Sequence, residues 1–319
     1  MSEKNEKKET LSIIIPAYNE AGNIPRTAQA LRQAMEAGHI STAVYFVDDG
    51  SADSTWDEIQ AAAEAWDMVR GLRFSRNFGK EAAIFAGLSA AAGDCCAVMD
   101  CDLQHPIEAL VRMYRLWEQG FEVIEGVKED RGRENVLYKG MAALFYKFMS
   151  AAMKLDMSRA SDFKLLDRRA VDAIISLPER NTFFRALSSW VGFKTAAVGF
   201  QVQEREIGQS KWSTWKLVKY ALTNIVSFTT TPLHIVTGLG VLFLILAAVL
   251  GVSSLVGYLT HRALEGFTTV ILIELIVGAI VMLSLGIIGG YIGKIYEEVK
   301  GRHRYIISNT VGLGAHREH

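Results

Sequence analysis

The sequence predicts an α/β fold with a mainly parallel sheet, followed by a pair of helices that cross a membrane. Three observations support this. Apolar runs of strand length alternate with helical periodicity across residues 11–204, the order typical of parallel sheets covered by helices. The strand-like runs are almost continuously apolar, as in strands buried on both faces. Two later stretches are apolar over at least the roughly 20 residues that a bilayer requires.

The elements follow one another from residue 11. The first strand is LSIII, which ends at Pro16, and the helix after it closes on Gly38. The next strands are AVYFV and VRGLRF. An alanine-rich helix closes on Gly93, the strand CCAVM follows, and the next helix has Pro106 in its first turn, where proline is favoured. In sheets of this kind, ligands bind at the carboxyl ends of the strands.

Polar motifs follow three of the predicted strands. PAYNE, DDGS and DCDLQ all stand at strand ends, so several carboxylates should share one rim of the sheet. Asp100 and Asp102 are like charges close together, which is costly unless something positive lies between them. Their oxygen ligands suit Mg²⁺ or Mn²⁺, which completes its shell with substrate phosphates. A solvated loop is the alternative for a single D-x-D.

Composition excludes several classes of function. The net charge of −1 offers no electrostatic basis for binding nucleic acid, and the chain lacks dinucleotide and P-loop motifs. The three cysteines lie within 95–101, a spacing that fits no zinc site and favours a reduced, cytosolic setting. Residues 1–10 are charged and have no apolar core, so we expect a disordered tail rather than a signal peptide.

The C-terminal third carries the membrane signal. Residues 220–261 contain no Asp, Glu, Lys or Arg, and we predict two spanning helices at about 232–260 and 267–293, within 229–295. Two buried helices of a soluble core are the alternative. Glu274 falls inside the second span, where a carboxylate is either functional or a polar contact near the connector.

Charges around the two spans predict their orientation. Basic residues flank both outer ends, whereas the connector has one arginine and one glutamate, so the positive-inside rule places the N-terminal region and the C-terminus in the cytoplasm. The segment 211–228 mixes lysines with aromatic residues and predicts a helix in the membrane interface. Residues 296–319 are expected to form a cytosolic tail.

Six motifs occur in a characteristic order: IIIPAYNE, VDDGSADST, SRNFGKEAAIFAGL, MDCDLQHP, SDFKLLDR and REIGQSKWS. Over residues 11–307 the chain resembles the polyprenyl-phosphate glycosyltransferases, membrane-associated members of inverting glycosyltransferase family 2. The resemblance is strongest to the bactoprenol glucosyltransferase branch and weaker to dolichyl-phosphate mannose synthase. It implies a GT-A catalytic domain over 11–210. The implied reaction transfers a sugar from a nucleotide sugar to a polyprenyl phosphate, such as undecaprenyl phosphate, for cell-envelope glycan modification. UDP-glucose is the favoured donor, and GDP-mannose or another donor is still open.

The resemblance also implies a donor site. Its nucleotide-sugar and metal residues are Pro16, Tyr18 and Glu20 in the nucleotide pocket, Asp48 at the base or ribose, Asp100 near the ribose and sugar, and Asp102 with Gln104 at the metal and diphosphate. The family usually has alanine between the aspartates and Asp-Pro-Pro after the glutamine. This chain has Cys101 and His105 there; His105 is either a ligand, a pH-sensitive neighbour or, as we favour, a plain substitution.

The implied acceptor is a lipid phosphate. Its second pKa near 6 makes it largely an anionic nucleophile at neutral pH, so cationic groups that hold the phosphates matter more than a strong base. The residues implied for this are Arg205, Ser210 and Lys211, with Arg131 and Arg133 on a closing loop. For both sets an ordinary charged loop is the alternative. Asp162 is implied to lie near the reacting sugar and to orient the acceptor, or else to have a structural role.

Two other functions compete with this transferase. A processive polysaccharide synthase would need a Q-x-x-R-W motif and more spans, and neither is present in the sequence. A membrane scaffold or lipid-flipping subunit with a degenerate transferase domain is disfavoured by intact aspartates at the strand ends. We expect a homo-oligomer in the bacterial inner (cytoplasmic) membrane, multi-pass, with the catalytic domain and both termini cytoplasmic.

Overall fold

The computed structural model describes residues 10–128, 161–179, 183–201, 231–260 and 267–313. These residues form two compact units. The first is an eight-stranded sheet with helices on both faces, built from the described residues up to 201 and from residue 302 onward. The second contains two long helices. The first unit confirms the predicted α/β class with a mainly parallel sheet.

The elements, in chain order, are as follows. The strands are β1 (Leu11–Ala17), β2 (Thr42–Asp48), β3 (Val69–Phe74), β4 (Cys95–Val98), β5 (Val123–Lys128), β6 (Lys164–Asp167), β7 (Thr195–Phe200) and β8 (Ile307–Val311). The helices are α1 (Ile24–Ala37), α2 (Thr55–Ala65), α3 (Lys80–Ala90), α4 (Ile107–Glu118), α5 (Arg168–Ile175), α6 (Phe184–Trp190), α7 (Thr231–Leu259) and α8 (Phe267–Val299). Every strand and helix predicted up to residue 120 is present, whereas α2 and the strands from β5 onward were not located from the sequence pattern.

The strand order is β7-β5-β6-β4-β1-β2-β3-β8. Strands β4, β1, β2 and β3 run parallel, and β6 runs antiparallel to both of its neighbours. In the register of β4 and β6, Val98 pairs with Lys164. The antiparallel strand therefore begins at the edge of the sheet where β4 ends, which brings the residues before β6 to the rim that carries the strand-end aspartates.

Helices cover both faces of the sheet. One core contains side chains from α1, α2 and α4, and the other contains side chains from α3, α5 and α6. Along β1, Ile13 and Ile15 enter the first core and Ile14 enters the second, as the alternation of side chains in a strand requires. Burial on both faces is the physical reason for the continuous apolar runs in the sequence.

The C-terminal segment differs from the predicted tail over 296–319. Helix α8 continues to Val299, and residues 307–311 form β8, which pairs antiparallel with β3. Tyr305 stacks on Phe74 with ring centroids 5.1 Å apart, and Val311 packs against the first core. An edge strand has unpaired backbone groups, and β8 supplies their partners along β3. The chain thus returns to the sheet after α8.

The second unit consists of α7 and α8. Residues 232–253 and 276–299 are long and apolar enough to cross a membrane, and their side chains are not buried in the protein. Glu274 lies in α8 before the second of these stretches and is exposed. The predicted interfacial helix over 211–228, residues 1–9 and the connector over 261–266 lie outside the described residues.

Candidate active site

The loops after β1 and β2 hold each other in place at the rim. The backbone N–H of Asn19 donates to Ser51 Oγ (2.9 Å), and that of Glu20 donates to Thr55 Oγ1 (2.9 Å). Tyr18, which precedes these two residues in the loop after β1, is 49% exposed. A planar ring that is open to solvent can stack on a nucleobase, and the role of Tyr18 in the nucleotide pocket stays a prediction.

The other two predicted pocket residues are close to this loop. Pro16 lies within β1 and pairs in register with Val47. The carboxylate of Glu20 accepts a hydrogen bond from Asn23 Nδ2 (2.5 Å). Glu20 therefore braces the start of α1 from the loop after β1.

Asp48 ends β2 and is fully buried. Its Oδ1 accepts the Ser51 N–H (2.8 Å), and its Oδ2 lies 3.2 Å from Arg73 Nε on the neighbouring strand. That contact lacks hydrogen-bond geometry, and Oδ2 has no hydrogen bond from the part of the chain that the structure describes. Buried carboxylate oxygens nearly always have a partner, and here the guanidinium of Arg73 supplies the opposite charge beside this atom.

Asp49, the next residue, controls where α3 begins. Its carboxylate accepts the N–H groups of Phe78 (2.6 Å) and Gly79 (2.9 Å). Gly79 has φ 100°, a conformation that favours glycine. A Cβ on Gly50 would lie 2.4 Å from the carbonyl carbon of Arg76, so the two loops approach closely enough to require glycine. This contact fixes the first residue of α3, which is Lys80.

Lys80 lies between two of the predicted carboxylates. Its ammonium is 2.5 Å from Asp100 Oδ1 and 2.8 Å from Asp162 Oδ2. Desolvation acts to lower the pKa of Lys80, but the charges of Asp100 and Asp162 raise it above its usual value. The sequence predicts a divalent cation at Asp100 and Asp102, and the structure adds a further positive charge, the Lys80 ammonium, between Asp100 and Asp162. The side chain is still 41% exposed, so a ligand can reach it.

Asp162 is held by two cations. Arg185, on α6, donates from Nε to Oδ1 (2.6 Å) and from Nη2 to Oδ2 (2.8 Å), the bidentate geometry of a strong ion pair. Burial acts to raise the pKa of Asp162, but Arg185 and Lys80 hold it well below its usual value. Asp162 is therefore ionised at neutral pH and is a weak base.

The two aspartates of the D-x-D flank a buried residue. The side chain of Cys101 is buried and its carbonyl accepts the Thr27 hydroxyl (2.8 Å), which turns Cys101 toward α1 and leaves Asp100 and Asp102 partly exposed. Asp102 Oδ1 accepts the backbone N–H of Gln104 (3.2 Å).

Among the described residues no group of three or more His, Cys, Asp or Glu side chains could hold a metal. Asp102 fits the mode in which Mg²⁺ takes one or two carboxylates and completes its shell with substrate phosphates, and the part of Gln104 stays a prediction.

His105 is a packing residue in this structure. Its ring stacks on Phe163 with centroids 4.6 Å apart and meets Phe200 edge-on at 5.5 Å. Nδ1 accepts the backbone N–H of Asp100 at 3.4 Å. Burial lowers the pKa of His105, which keeps the ring neutral at neutral pH. Of the predicted alternatives, the geometry favours a substitution that packs behind the D-x-D over a ligand.

Three site residues were not predicted from the sequence, and five predicted site residues lie outside the described ranges. Lys80, Arg73 and Arg185 were not predicted. Lys80 stands in the RNFGKE motif and Arg73 is a charge in a buried strand, so both had a local signal, but Arg185 had none. The predicted phosphate-binding residues lie outside the described ranges, and their role stays a prediction: Arg131, Arg133, Arg205, Ser210 and Lys211.

The chain is similar to known glycosyltransferases. Residues 12–174 match the model of glycosyl transferase family 2. The putative glycosyltransferase CsbB of Bacillus subtilis is 37% identical, covering 95% of this chain and 93% of that protein. The SfII prophage-derived bactoprenol glucosyl transferase of Shigella flexneri is 35% identical (94% and 98% covered), and the prophage bactoprenol glucosyl transferase homolog of Escherichia coli K12 is 36% identical (94% and 99% covered). The chain belongs to glycosyltransferase family 2.

Proposed function

We propose that the protein transfers a sugar, with inversion, from a nucleotide sugar to a polyprenyl phosphate, and that UDP-glucose is the donor. The observation that carries the proposal is the convergence of Asp48, Asp100 and Asp162 with Lys80 at one rim of the sheet. The donor and acceptor classes draw on the near full-length relatives named bactoprenol glucosyl transferase. The two apolar helices are the feature expected of an enzyme whose acceptor stays in a membrane.

The proposed chemistry is a direct displacement. A phosphate oxygen of the lipid attacks the anomeric carbon, the bond from that carbon to the diphosphate oxygen breaks, and the nucleoside diphosphate leaves with the electron pair. The lipid phosphate is largely dianionic at neutral pH, so no proton has to be removed. The low pKa of Asp162 supports this route, because a carboxylate bound by two cations is a poor general base.

The proposed reaction assigns a separate role to each group of site residues. Asp48, at the end of β2, and the exposed ring of Tyr18 would bind the nucleotide. Asp162 orients the cations Lys80 and Arg185 beside the reacting sugar, where fixed charges stabilise the anions that meet there. Asp102 and Gln104 would hold Mg²⁺ or Mn²⁺, which would supply charge neutralisation of the diphosphate leaving group.

The proposed location is the bacterial inner membrane, with the sheet on the cytoplasmic side. Two observations support it. Strand β8, after α8, belongs to the same sheet as the strands before α7, so if both helices cross the membrane the chain must leave and return on one side. The positive charges flank the outer ends of the pair, as the positive-inside rule expects. A homo-oligomer remains our expectation.

A donor panel tests the proposal. Full-length protein in lipid nanodiscs is given undecaprenyl phosphate, Mg²⁺ or Mn²⁺ and, separately, UDP-glucose, UDP-galactose, UDP-N-acetylglucosamine or GDP-mannose, and the lipid product is identified by mass. We expect a hexosyl-phosphate lipid from UDP-glucose. A product from another donor corrects the sugar alone. No lipid product from any donor, with no metal-dependent binding of nucleotide sugar, would favour the scaffold alternative.

A further inference from the structure

A lysine is buried beneath the site. Lys164, the first residue of β6, is fully buried, which is rare for this side chain. Its ammonium lies 2.6 Å from Glu125 Oε1, 2.7 Å from Ser188 Oγ and 3.4 Å from the carbonyl oxygen of Arg185. In the sheet register Glu125 on β5 stands directly opposite Lys164. Lys164, on β6, therefore forms hydrogen bonds with both β5 and α6.

Helix α6 is held by the packing of Phe184 and Leu187 in the core that it shares with α3 and α5, and by polar contacts with its neighbours. It has seven residues, and a helix this short is not stable by its own hydrogen bonds. Its first N–H, from Phe184, donates to Glu81 Oε2 (2.9 Å) on α3. Arg185 has contacts through its side chain and its backbone. Its guanidinium donates hydrogen bonds to Asp162, and its carbonyl oxygen accepts hydrogen bonds from Lys164 and from the Ser188 hydroxyl (3.1 Å). Lys164 thus contacts the backbone of the residue whose side chain binds Asp162.

We propose that Lys164, paired with Glu125, is a positioning residue that holds α6 so that Arg185 grips Asp162, and that it acts on sugar transfer without contacting either substrate. Replacing a buried ion pair with apolar or neutral groups commonly leaves stability unchanged, so stability alone is a poor reason for burying a lysine here. The kinetic consequences rest on the proposed function, while the effect on α6 does not.

The test uses a double variant that leaves no buried charge unpaired. Lys164→Met/Glu125→Gln removes both charges, and Lys194→Met, at an exposed lysine before β7, is the control. In full-length protein we expect kcat to fall at least about tenfold, because a displacement of about 1 Å at a site can cost more than this. Binding of UDP with Mn²⁺ and the thermal midpoint should stay near wild type, since the Asp48 end of the site is not altered.

A double-mutant cycle separates positioning from a general structural effect. If Lys164 acts through Arg185, the Lys164→Met/Glu125→Gln change should cost no further activity in an Arg185→Ala background, because the effects of residues in one network are not additive. A purely structural loss would instead multiply in that background. Multiplying effects, or an unchanged kcat in the wild-type background, would overturn the proposal.

Hydrogen exchange gives a readout that does not need turnover. In the double variant the amides of residues 184–190 should exchange faster, while those of β1 and β2 should not change. A wild-type protein that transfers no sugar would count against the proposed function only. Unchanged exchange over 184–190 would overturn the positioning role whatever the activity.

Discussion

Replacing Lys80 with methionine tests the charge arrangement at the centre of the site. The ammonium makes contacts of 2.5 Å with Asp100 and 2.8 Å with Asp162. Methionine keeps most of the length of the side chain but removes both contacts, which leaves two carboxylates facing each other without the cation between them. We expect the variant to fold and to lose most of its transferase activity.

The magnitude follows from the two contacts. Charge-assisted hydrogen bonds contribute roughly 1.5–3 kcal/mol each. Because the Lys80 side chain is 41% exposed, solvent screens the pair, and we take about 2 kcal/mol for both contacts together. If the ammonium stabilises the anions of the transition state by the same amount, its loss lowers kcat/KM about 30-fold. Lys80→Arg, which keeps the charge but changes its geometry, should recover only part of it.

The assay is the initial rate of lipid-linked sugar formation by full-length protein, with donor and metal saturating and undecaprenyl phosphate varied. Lys194→Met is the matched control, because it removes an exposed lysine elsewhere on the same sheet unit. A Lys80→Met rate within about twofold of wild type would correspond to less than about 0.5 kcal/mol. Such a result would refute the assignment of this ammonium to the reacting centre.

Four further predictions concern other parts of the chain. Asp102→Asn should abolish transfer with the fold intact by circular dichroism, since a metal–diphosphate contact contributes several kcal/mol; turnover within a few-fold of wild type contradicts it. Arg205→Ala should lower transfer by about ten- to a hundred-fold per lost phosphate bond, with Arg205→Lys restoring part; an unchanged kcat and acceptor KM would show that the phosphate is held elsewhere. A cysteine placed in 261–266 should be labelled from outside intact cells, and the native cysteines, all buried, should not interfere; labelling only after permeabilisation reverses the topology. Burial raises the pKa of Glu81 to about 7, so the stability that its neutral form contributes is present below its usual pKa and is lost as the pH rises through about 7. The Glu81→Gln variant should therefore have a higher melting temperature than wild type at about pH 8 but not at about pH 5. Equal melting temperatures of the two proteins at both pH values would argue against the shift.

Local features of the chain were readable from the sequence. The strands up to β4 and the helices α1, α3 and α4 were predicted within a few residues, because apolar runs and helical periodicity are properties of short segments. The positions of Asp48 and Asp100 at strand ends followed in the same way. The strand β8 was missed, although YIISNTV has the residues of a strand, because a short edge strand is stable only against its neighbour, here β3.

The sequence by itself determined which residue types stand at the ends of the first strands, and therefore that carboxylates would collect at one rim. Only the tertiary structure decided which cations meet them. Lys80 and Asp162 are 82 residues apart in the chain, and they meet because β6 runs antiparallel to β4 and so begins where β4 ends. Arg185 reaches Asp162 only because α6 packs beside that strand. Register and helix packing depend on contacts between distant segments, and no local pattern in the chain encodes them.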